Sequence, residues 1–425
     1  MIRRLLILTT VLLLPGCGDG DEPPHPSLPA RVPLPECPDA SYEPCDIRDQ
    51  ECQRRIGELA ACVRGDAPLE SLPVDVMSED AFARMEAGEL REPSPSALVF
   101  RQALASLELA PAQVPTRDAA AKYDASQIYG LYRSDEKRII VVDHGMPADS
   151  ASVNLTLLHE FVHALQDVEH DLGHWPADAP EHFSFDYALA RKSVVEGEAT
   201  FYQYRAAAPL LGLDAAQVDL DSALQEHLEF VIERDFDSDA PVDSSFLTFP
   251  YAYGALQVYS SWLHGGRRGV EKLWAAPPSL TQAVMSKTLD QGEPQARGVD
   301  IAPLDFVFDG APEGAFTTVA SDSLGAWGLA LLLESVGLQA PDALATSWRG
   351  DRLSAVQVTG VASTFSLWQI ELDSPESAQA VDTALERLGN AEHNVSGSRV
   401  YVSGAFPLGV PRRLGPFGKR WLSGD

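Results

Sequence analysis

The sequence has 425 residues, 45% of them hydrophobic and 22% charged, which are proportions typical of a globular protein. Asp and Glu number 62 against 32 Lys and Arg, so the formal net charge is −30. Because nucleic-acid binding depends on clusters of Lys and Arg, this charge balance excludes nucleic acid from the expected partners.

Residues 1–16 have the layout of a signal peptide. Arg3 and Arg4 precede an apolar stretch that ends at Leu14, and this stretch is shorter than the roughly 20 residues of a transmembrane helix. The run Leu14-Pro15-Gly16-Cys17 resembles the lipobox of bacterial lipoproteins, which implies cleavage before Cys17 and lipidation of that residue. We therefore expect an exported protein, held to a membrane by lipid and facing the periplasm or cell surface. Ordinary signal cleavage nearby, with Cys17 incidental, is the alternative.

Residues 17–66 are predicted to form a lipidated tether followed by a cysteine-stapled segment. Gly18, rather than Asp, follows Cys17, and by resemblance to lipoprotein sorting rules this favours the outer membrane. Residues 18–36 are rich in proline and poor in large apolar side chains, so they are expected to act as a tether.

Four cysteines follow the tether, at Cys37, Cys45, Cys52 and Cys62. An even set in an exported chain predicts two disulfides, and sequence leaves all three pairings open. A four-cysteine zinc knuckle is the alternative, but the CxxC pairs typical of such sites are missing.

Hydrophobic periodicity and turn signals predict the secondary structure of the remaining chain. The predicted helices span 47–61, 78–90, 96–109, 153–168, 185–207, 215–233, 253–263, 270–274, 315–336 and 375–388. The predicted strands span 72–77, 128–132, 138–142, 354–359, 365–372 and 399–402, and the second and third of them form a hairpin. No internal repeat is evident, so the segment after residue 300 is expected to be a small α+β unit.

The motif His159-Glu160-Phe161-Val162-His163 lies inside the predicted helix 153–168. Histidines four residues apart share one helix face, so both imidazoles can meet one ion, for which zinc is the expected identity. Glu160 lies about 100° round the helix, where its carboxylate can reach a zinc-bound water rather than the metal. A pair of surface histidines is the alternative, but apolar neighbours on nearly all sides argue against it.

A third metal ligand is expected from the segment Val195-Glu196-Gly197-Glu198-Ala199-Thr200 on the next long helix. Glu196 and Glu198 are two positions apart, about 200° round a helix, so both cannot point at one metal. Helical geometry alone leaves both residues as candidates.

Together the two segments resemble the gluzincins, the clan that includes thermolysin and aminopeptidase N-like enzymes, in which a Glu on a following helix completes the zinc site. The run from His159 to Asp167 is similar to thermolysin's HExxHAxxD. Five pieces also resemble, in order, a little-studied group of predicted bacterial gluzincin-like proteins: LHEFVHALQD at 158–167, VEGEAT at 195–200, PYAYG at 250–254, PPS at 277–279 and WRGDR at 348–352. The resemblance covers roughly residues 70 to 375, and it implies that Glu196 rather than Glu198 is the ligand.

The sequence differs from thermolysin at two points, so the residues that hydrogen-bond to the metal ligands cannot be assigned from the resemblance. The gap from His163 to Glu196 is longer, and Thr200 stands where that enzyme has an Asp. Asp167 lies four residues beyond His163 on the same face and is a candidate to accept a ring N–H. A solvated carboxylate near the helix end is the alternative for Asp167.

The expected chemistry is hydrolysis of a peptide bond, with Glu160 as general base on the attacking water. Tyr251 or Tyr253 is the expected hydrogen-bond donor to the oxyanion, with simple packing as the alternative for both. The predicted hairpin precedes the motif helix, and by resemblance to zincins it suits an edge strand that binds an extended peptide.

The sequence therefore predicts an α+β protein with a zincin-like, mostly helical catalytic domain at 67–300 that contains a small β-sheet, and a C-terminal α+β unit at 301–425. The expected partners are a peptide or protein substrate and, through lipid on Cys17, a membrane. Two alternatives remain open: an envelope lipoprotein that binds zinc without turnover, and a zinc amidohydrolase that acts on a non-protein amide.

Overall fold

The computed structural model describes residues 42–175, 184–211, 218–236, 240–286, 316–358, 364–388 and 391–404. The predicted signal peptide, the tether, Cys17, Cys37 and the domain boundary at residue 300 lie outside these ranges. Within them, no helix combines the length and apolar character needed to cross a membrane.

The first part of the chain contains mainly helices and one small sheet. Its elements are α1 (Gln50–Arg64), β1 (Val74–Ser78), α2 (Glu79–Glu89), α3 (Pro95–Ala105), α4 (Arg117–Gln127), β2 (Gly130–Arg133), β3 (Arg138–Asp143), α5 (Ala151–His170), α6 (Phe185–Leu210), α7 (Leu220–Phe236), α8 (Pro241–Ser244), a 3₁₀ turn (Ser245–Leu247), α9 (Phe249–Gly265), α10 (Arg267–Ala275) and α11 (Thr281–Met285).

The second part combines a larger sheet with three helices. Its elements are β4 (Phe316–Asp322), α12 (Gly325–Ser335), α13 (Pro341–Ala345), β5 (Trp348–Val358), β6 (Thr364–Leu372), α14 (Pro375–Leu385), β7 (Glu392–Ser396) and β8 (Arg399–Ser403). The predicted α+β class is confirmed. The prediction of one helix over 315–336 is wrong, because β4 occupies its first third and only the second half, α12, is helical.

β2 is an edge strand of the three-stranded sheet, whose order is β1-β3-β2. β3 is central, and its interior residues from Ile139 to Val142 are buried. β2 pairs antiparallel with β3, as the predicted hairpin requires, and β1 pairs parallel with it. β2 also packs against α5, so one face of the edge strand lies on the helix that carries the His-Glu-His motif.

The cysteine-stapled segment packs against α5. Cys45 and Cys52 form a disulfide, and Cys62 is also disulfide-bonded. Asn154, which is buried in the first turn of α5, accepts from the backbone N–H of Cys45 at 3.1 Å and donates to the Cys45 carbonyl at 2.9 Å. These contacts hold α1 against the motif helix, although α1 precedes the predicted boundary at residue 67.

The two long helices α6 and α9 approach each other closely because small residues face one another. A Cβ atom on Gly197 would lie 2.3 Å from the Gly254 carbonyl carbon, and one on Gly254 would lie 2.3 Å from the Ser193 oxygen. Only glycine permits this contact without separating the helices. The close approach brings the first turn of α9 beside the middle of α6.

The five-stranded sheet has the order β4-β5-β6-β8-β7, with antiparallel pairing throughout. Helix α3, from the first part of the chain, packs against β4, β5 and β6. A single buried hydrophobic cluster extends from Ile47 to Val402. Packing is thus continuous between the first part of the chain and the five-stranded sheet.

Buried carboxylates join the N-terminal end of α6 to α11 and to β4. Asp186 accepts from the backbone N–H and the hydroxyl of Thr281, at 2.7 and 2.5 Å. Asp322 accepts from the backbone N–H of Phe185. Burial raises the pKa of Asp186 to about 7, although its hydrogen bonds from Thr281 oppose the shift, and burial raises that of Asp322 to about 6.

Asp186→Asn is expected to change how stability depends on pH. In the wild type a pKa raised on folding favours the native state at low pH, and this stabilisation is lost as pH rises from about 4 to about 7. Removing this carboxyl group should therefore reduce the slope of the unfolding free energy against pH, by at most about 1.4 kcal/mol per pH unit between about pH 4 and 7. Urea unfolding from pH 4.5 to 8 measures the difference. The exposed Asp118→Asn is the control, and equal slopes in wild type and Asp186→Asn contradict the prediction.

Candidate metal centre

Three buried side chains from two helices converge at one point. His159 and His163 lie on successive turns of α5, and Glu196 lies on α6. The two histidine Nε2 atoms are 3.1 Å apart, and Glu196 Oε2 is 3.3 Å from that of His159 and 3.2 Å from that of His163. In the part of the chain that the structure describes, this is the group of His, Cys, Asp and Glu side chains close enough to hold a metal ion.

The distances between the three ligand atoms fit a zinc ion. Zinc–ligand bonds of about 2.0 to 2.1 Å place tetrahedral ligand atoms about 3.3 Å apart. The observed separations between ligand atoms are 3.1, 3.2 and 3.3 Å. Two imidazole nitrogens with one carboxylate oxygen are also a donor set typical of catalytic zinc. The group can therefore hold a metal ion.

Glu196, and not Glu198, faces the imidazoles. Burial raises the pKa of Glu196, but His163 and Lys192 outweigh burial and hold it well below its usual value, so the carboxylate is ionised. Burial lowers the pKa of His163, but Glu196 reverses the shift and raises it to about 9. A cation that binds at this group must displace the His163 proton.

Glu160 lies beside the ligand group with its carboxylate under strand β2. The backbone of Tyr132 donates a hydrogen bond to this carboxylate. The residue is only 5% exposed. Burial raises the pKa of Glu160, and the neighbouring His159 and His163 oppose part of that shift. The structure thus places next to the ligands an acid whose affinity for a proton is increased.

Gly130 leaves the space that the Glu160 carboxylate fills. A Cβ atom there would lie 2.6 Å from Glu160 Oε1 and 2.9 Å from Thr156 Cγ2. Gly130→Ala is therefore expected to displace the carboxylate while metal stays bound. A misplacement of about 1 Å can lower turnover roughly 10²-fold.

Comparing kcat/KM and zinc content of Gly130→Ala with those of wild type tests this expectation. Gly88→Ala, where a Cβ would meet nothing within 4 Å, is the matched control. Unchanged turnover in Gly130→Ala contradicts the prediction.

Of the two predicted tyrosines, the structure brings Tyr251 to the site and places Tyr253 in the core. The Tyr251 ring stacks on His159 with centroids 5.8 Å apart. Burial, the carboxylates of Glu196 and Glu160, and a hydrogen bond to Glu196 raise the pKa of Tyr251 well above its usual value, so its hydroxyl keeps its proton. Tyr253 packs against Phe249 and Trp327, as its alternative assignment proposed.

The prediction that Asp167 supports a ligand histidine is wrong. Asp167 accepts from the Tyr132 hydroxyl at 2.6 Å and pairs with Lys137, so it fastens the β2–β3 hairpin to α5. The residue that contacts the second ring nitrogen of His163 is instead Gln166, whose Oε1 lies 2.8 Å from His163 Nδ1. Gln166 lies three residues after His163, a spacing that also shares a helix face, so the sequence contained the signal.

Lys192 is a second residue that the sequence analysis missed. It lies one turn before Glu196 on α6, with Nζ 3.6 Å from Glu196 Oε1 and 2.9 Å from the Phe246 carbonyl. The Lys192 ammonium group faces Oε1 of Glu196, whereas Oε2 of Glu196 faces the two histidines. The i,i+4 spacing to Glu196 is the sequence signal that marks it.

Comparison with protein-family models, curated proteins and solved structures finds no match. Fold and site define the chain as an α+β protein with a buried His-His-Glu group that can hold a metal ion. The resemblance to gluzincins stays a prediction that depends on the motifs quoted above.

Proposed function

We propose that this protein is a zinc-dependent peptidase in which Glu160 is the general base. The observation that carries the proposal is the buried Glu160 carboxylate beside a three-ligand group of two imidazoles and one carboxylate. Burying a further acid costs free energy, and a site that only retains metal gains nothing from it. A hydrolytic site needs such a group within reach of water.

Each side chain of the site has a separate role in the proposed hydrolysis. His159, His163 and Glu196 would hold zinc, which when bound supplies a Lewis acid that polarises a carbonyl and acidifies water. Glu160 takes a proton from the attacking water on its carboxylate and passes it to the leaving amine, a role that a raised pKa favours. Tyr251, whose hydroxyl hydrogen-bonds Glu196 before substrate binds, would turn this donor to the oxygen that gains negative charge during the reaction.

The edge strand β2 supports a peptide as the substrate class. β2 pairs with β3 on one side, and among the described residues no strand pairs with its other side. An extended peptide can add to such an edge through main-chain hydrogen bonds. The hydrogen bond from the Tyr132 backbone to Glu160 keeps this edge beside the Glu160 carboxylate. A peptide bound along β2 would therefore pass the carboxylate.

The proposal includes export and lipid attachment through Cys17. The Cys45–Cys52 disulfide supports an oxidising compartment, since disulfides are rare in the cytosol. The zinc identity is supported by the donor set, and two alternatives are kept for the reaction: zinc binding without turnover in an envelope lipoprotein, and hydrolysis of a non-protein amide.

Metal analysis followed by digestion of a mixed peptide library tests the proposal. The exported wild-type protein is expected to hold one zinc per chain and to cleave peptides. A chelator should abolish cleavage, and added zinc should restore it. Zinc without cleavage of any amide supports the binding lipoprotein, and cleavage of non-peptide amides alone supports the amidohydrolase. A chain that holds no stoichiometric divalent ion contradicts all three.

A further inference from the structure

A chain of buried hydrogen bonds leads from α1 to the ligand His163. Arg64 Nε donates to Glu198 Oε1 at 3.0 Å, and Gln166 Nε2 donates to Glu198 Oε2 at 3.0 Å. The other end of the Gln166 side chain, Oε1, lies 2.8 Å from His163 Nδ1. Exposure of the four residues ranges from 0% for Gln166 to 8% for His163, so water does not substitute for these contacts.

The partners of Gln166 fix the orientation of its amide. Nε2 lies 3.0 Å from the Glu198 carboxylate and 2.9 Å from the backbone carbonyl of Val195. Both partners are acceptors, so the amide nitrogen must face them. The amide oxygen is then the atom that faces His163.

The orientation of Gln166 determines which nitrogen of His163 is free. An amide oxygen accepts hydrogen bonds only, so Nδ1 must carry a proton and donate it. In the neutral ring the lone pair is then on Nε2, the atom that lies 3.1 Å from the Nε2 of His159. A metal ligand needs this tautomer, which the partner of the second ring nitrogen commonly sets.

We propose that Arg64 is a positioning residue of the metal centre, which acts through Glu198 and Gln166 to hold His163 in the tautomer that binds metal. The inference rests on the proposed metal-binding function, and it assigns a role in the site to the cysteine-stapled segment. Arg64 is the last residue of α1, the helix held against α5 by contacts to Asn154.

Arg64 supplies the positive charge that a buried carboxylate requires. Glu198 is 2% exposed, and besides Arg64 and Gln166 it accepts from the Trp274 indole at 2.8 Å. Burial lowers the pKa of Arg64, but Glu198 and Asp66 outweigh burial and raise it, so the guanidinium stays charged. Without that charge, the buried Glu198 is expected to take up a proton, and the Val195 carbonyl is then the one acceptor that still holds the Gln166 amide in this orientation.

Zinc affinity in a double-mutant cycle tests the proposal. Arg64→Met and Gln166→Met are each expected to weaken zinc binding about 10- to 100-fold, the effect typical of groups that orient metal ligands. Because Arg64 acts through Gln166, the double variant should bind no more weakly than Gln166→Met alone. Glu169→Gln is the control, because it removes another ion-pair partner of Arg64, at 2.9 Å, and leaves the hydrogen bonds from Arg64 to His163 intact. This variant should bind zinc like wild type.

Competition against a chromophoric chelator measures affinity, and circular dichroism confirms the fold of each variant. If Arg64→Met does not fold, Arg64→Lys replaces it, and its zinc affinity is expected to fall by a smaller factor. The ¹⁵N-histidine spectrum gives a second readout: the Nδ1–H resonance of His163 is expected downfield in wild type and shifted back in Arg64→Met.

Wild-type affinity in Arg64→Met, or additive losses in the double variant, would overturn the proposal. A wild-type chain that binds zinc but cleaves nothing contradicts the peptidase proposal alone. A wild-type chain that binds no metal contradicts the metal centre, and the histidine spectrum of the metal-free protein then still shows whether Arg64 controls the His163 hydrogen bond.

Discussion

Glu160→Gln is expected to lower the rate of peptide hydrolysis by about 10² to 10⁴-fold while zinc stays bound. Glutamine has nearly the same shape, and its amide oxygen can accept the hydrogen bond that the Tyr132 backbone gives the carboxylate. It cannot take a proton from water, so the step that generates the nucleophile is lost. The three ligands are unchanged, so the metal content should match that of wild type.

Steady-state kinetics on a peptide selected from the library, with zinc content measured on the same sample, check this result. Glu376→Gln, which removes an exposed carboxylate from α14, is the control and should have wild-type activity. If Glu160→Gln loses its zinc, the carboxylate is a ligand rather than a base. If the variant cleaves at the wild-type rate, proton transfer does not pass through Glu160.

Strongly periodic segments were predictable from sequence, and segments defined by distant pairing were not. The motif helix was predicted over 153–168 and spans 151–170. Helix α4 has no clear signal in the sequence, because only Ala121 and Ala125 in it are buried, which leaves little apolar periodicity. The residues of strand β4 are compatible with helix when read alone, because periodicity in a short run does not separate the two states. Pairing with β5, about thirty residues further along the chain, makes them a strand.

Local spacing identified the histidine ligands and Glu160, but it could not choose between residues that fit equally well. Gln166 and Asp167, three and four positions after His163, both share its helix face. Asp167 points away from His163 because it hydrogen-bonds to the β2–β3 hairpin. Tyr251 and Tyr253 lie on different faces of α9, and only the packing of α9 against α6 shows which of them faces the ligands. Arg64 reaches the site through tertiary structure alone.

Glu196→Gln and Glu198→Gln are expected to fail in different ways, although the two residues are separated by a single glycine. In the proposed zinc site Glu196 is the anionic ligand, and an amide in its place would bind zinc weakly. Structural zinc sites bind with roughly 10 to 16 kcal/mol over four ligands, so losing one ligand costs about 3 kcal/mol, or more than 100-fold in affinity. The metal-free form of Glu196→Gln should lose less stability than that of Glu198→Gln, because His163 can release its proton once Glu196 is gone, whereas the Arg64 guanidinium stays charged.

Glu198→Gln should instead lose up to about 3 to 5 kcal/mol of stability, because it removes the most deeply buried of the three carboxylates that pair with the Arg64 guanidinium, and Asp66 and Glu169 are more exposed. Its zinc affinity should fall less than that of Glu196→Gln, since Glu198 reaches the ligands only through Gln166. Urea unfolding in chelator and zinc competition measure the two quantities separately. If Glu198→Gln loses zinc more completely than Glu196→Gln, the assignment of the third ligand is wrong, because removing a ligand must weaken metal binding more than removing a residue that acts on it through a neighbour.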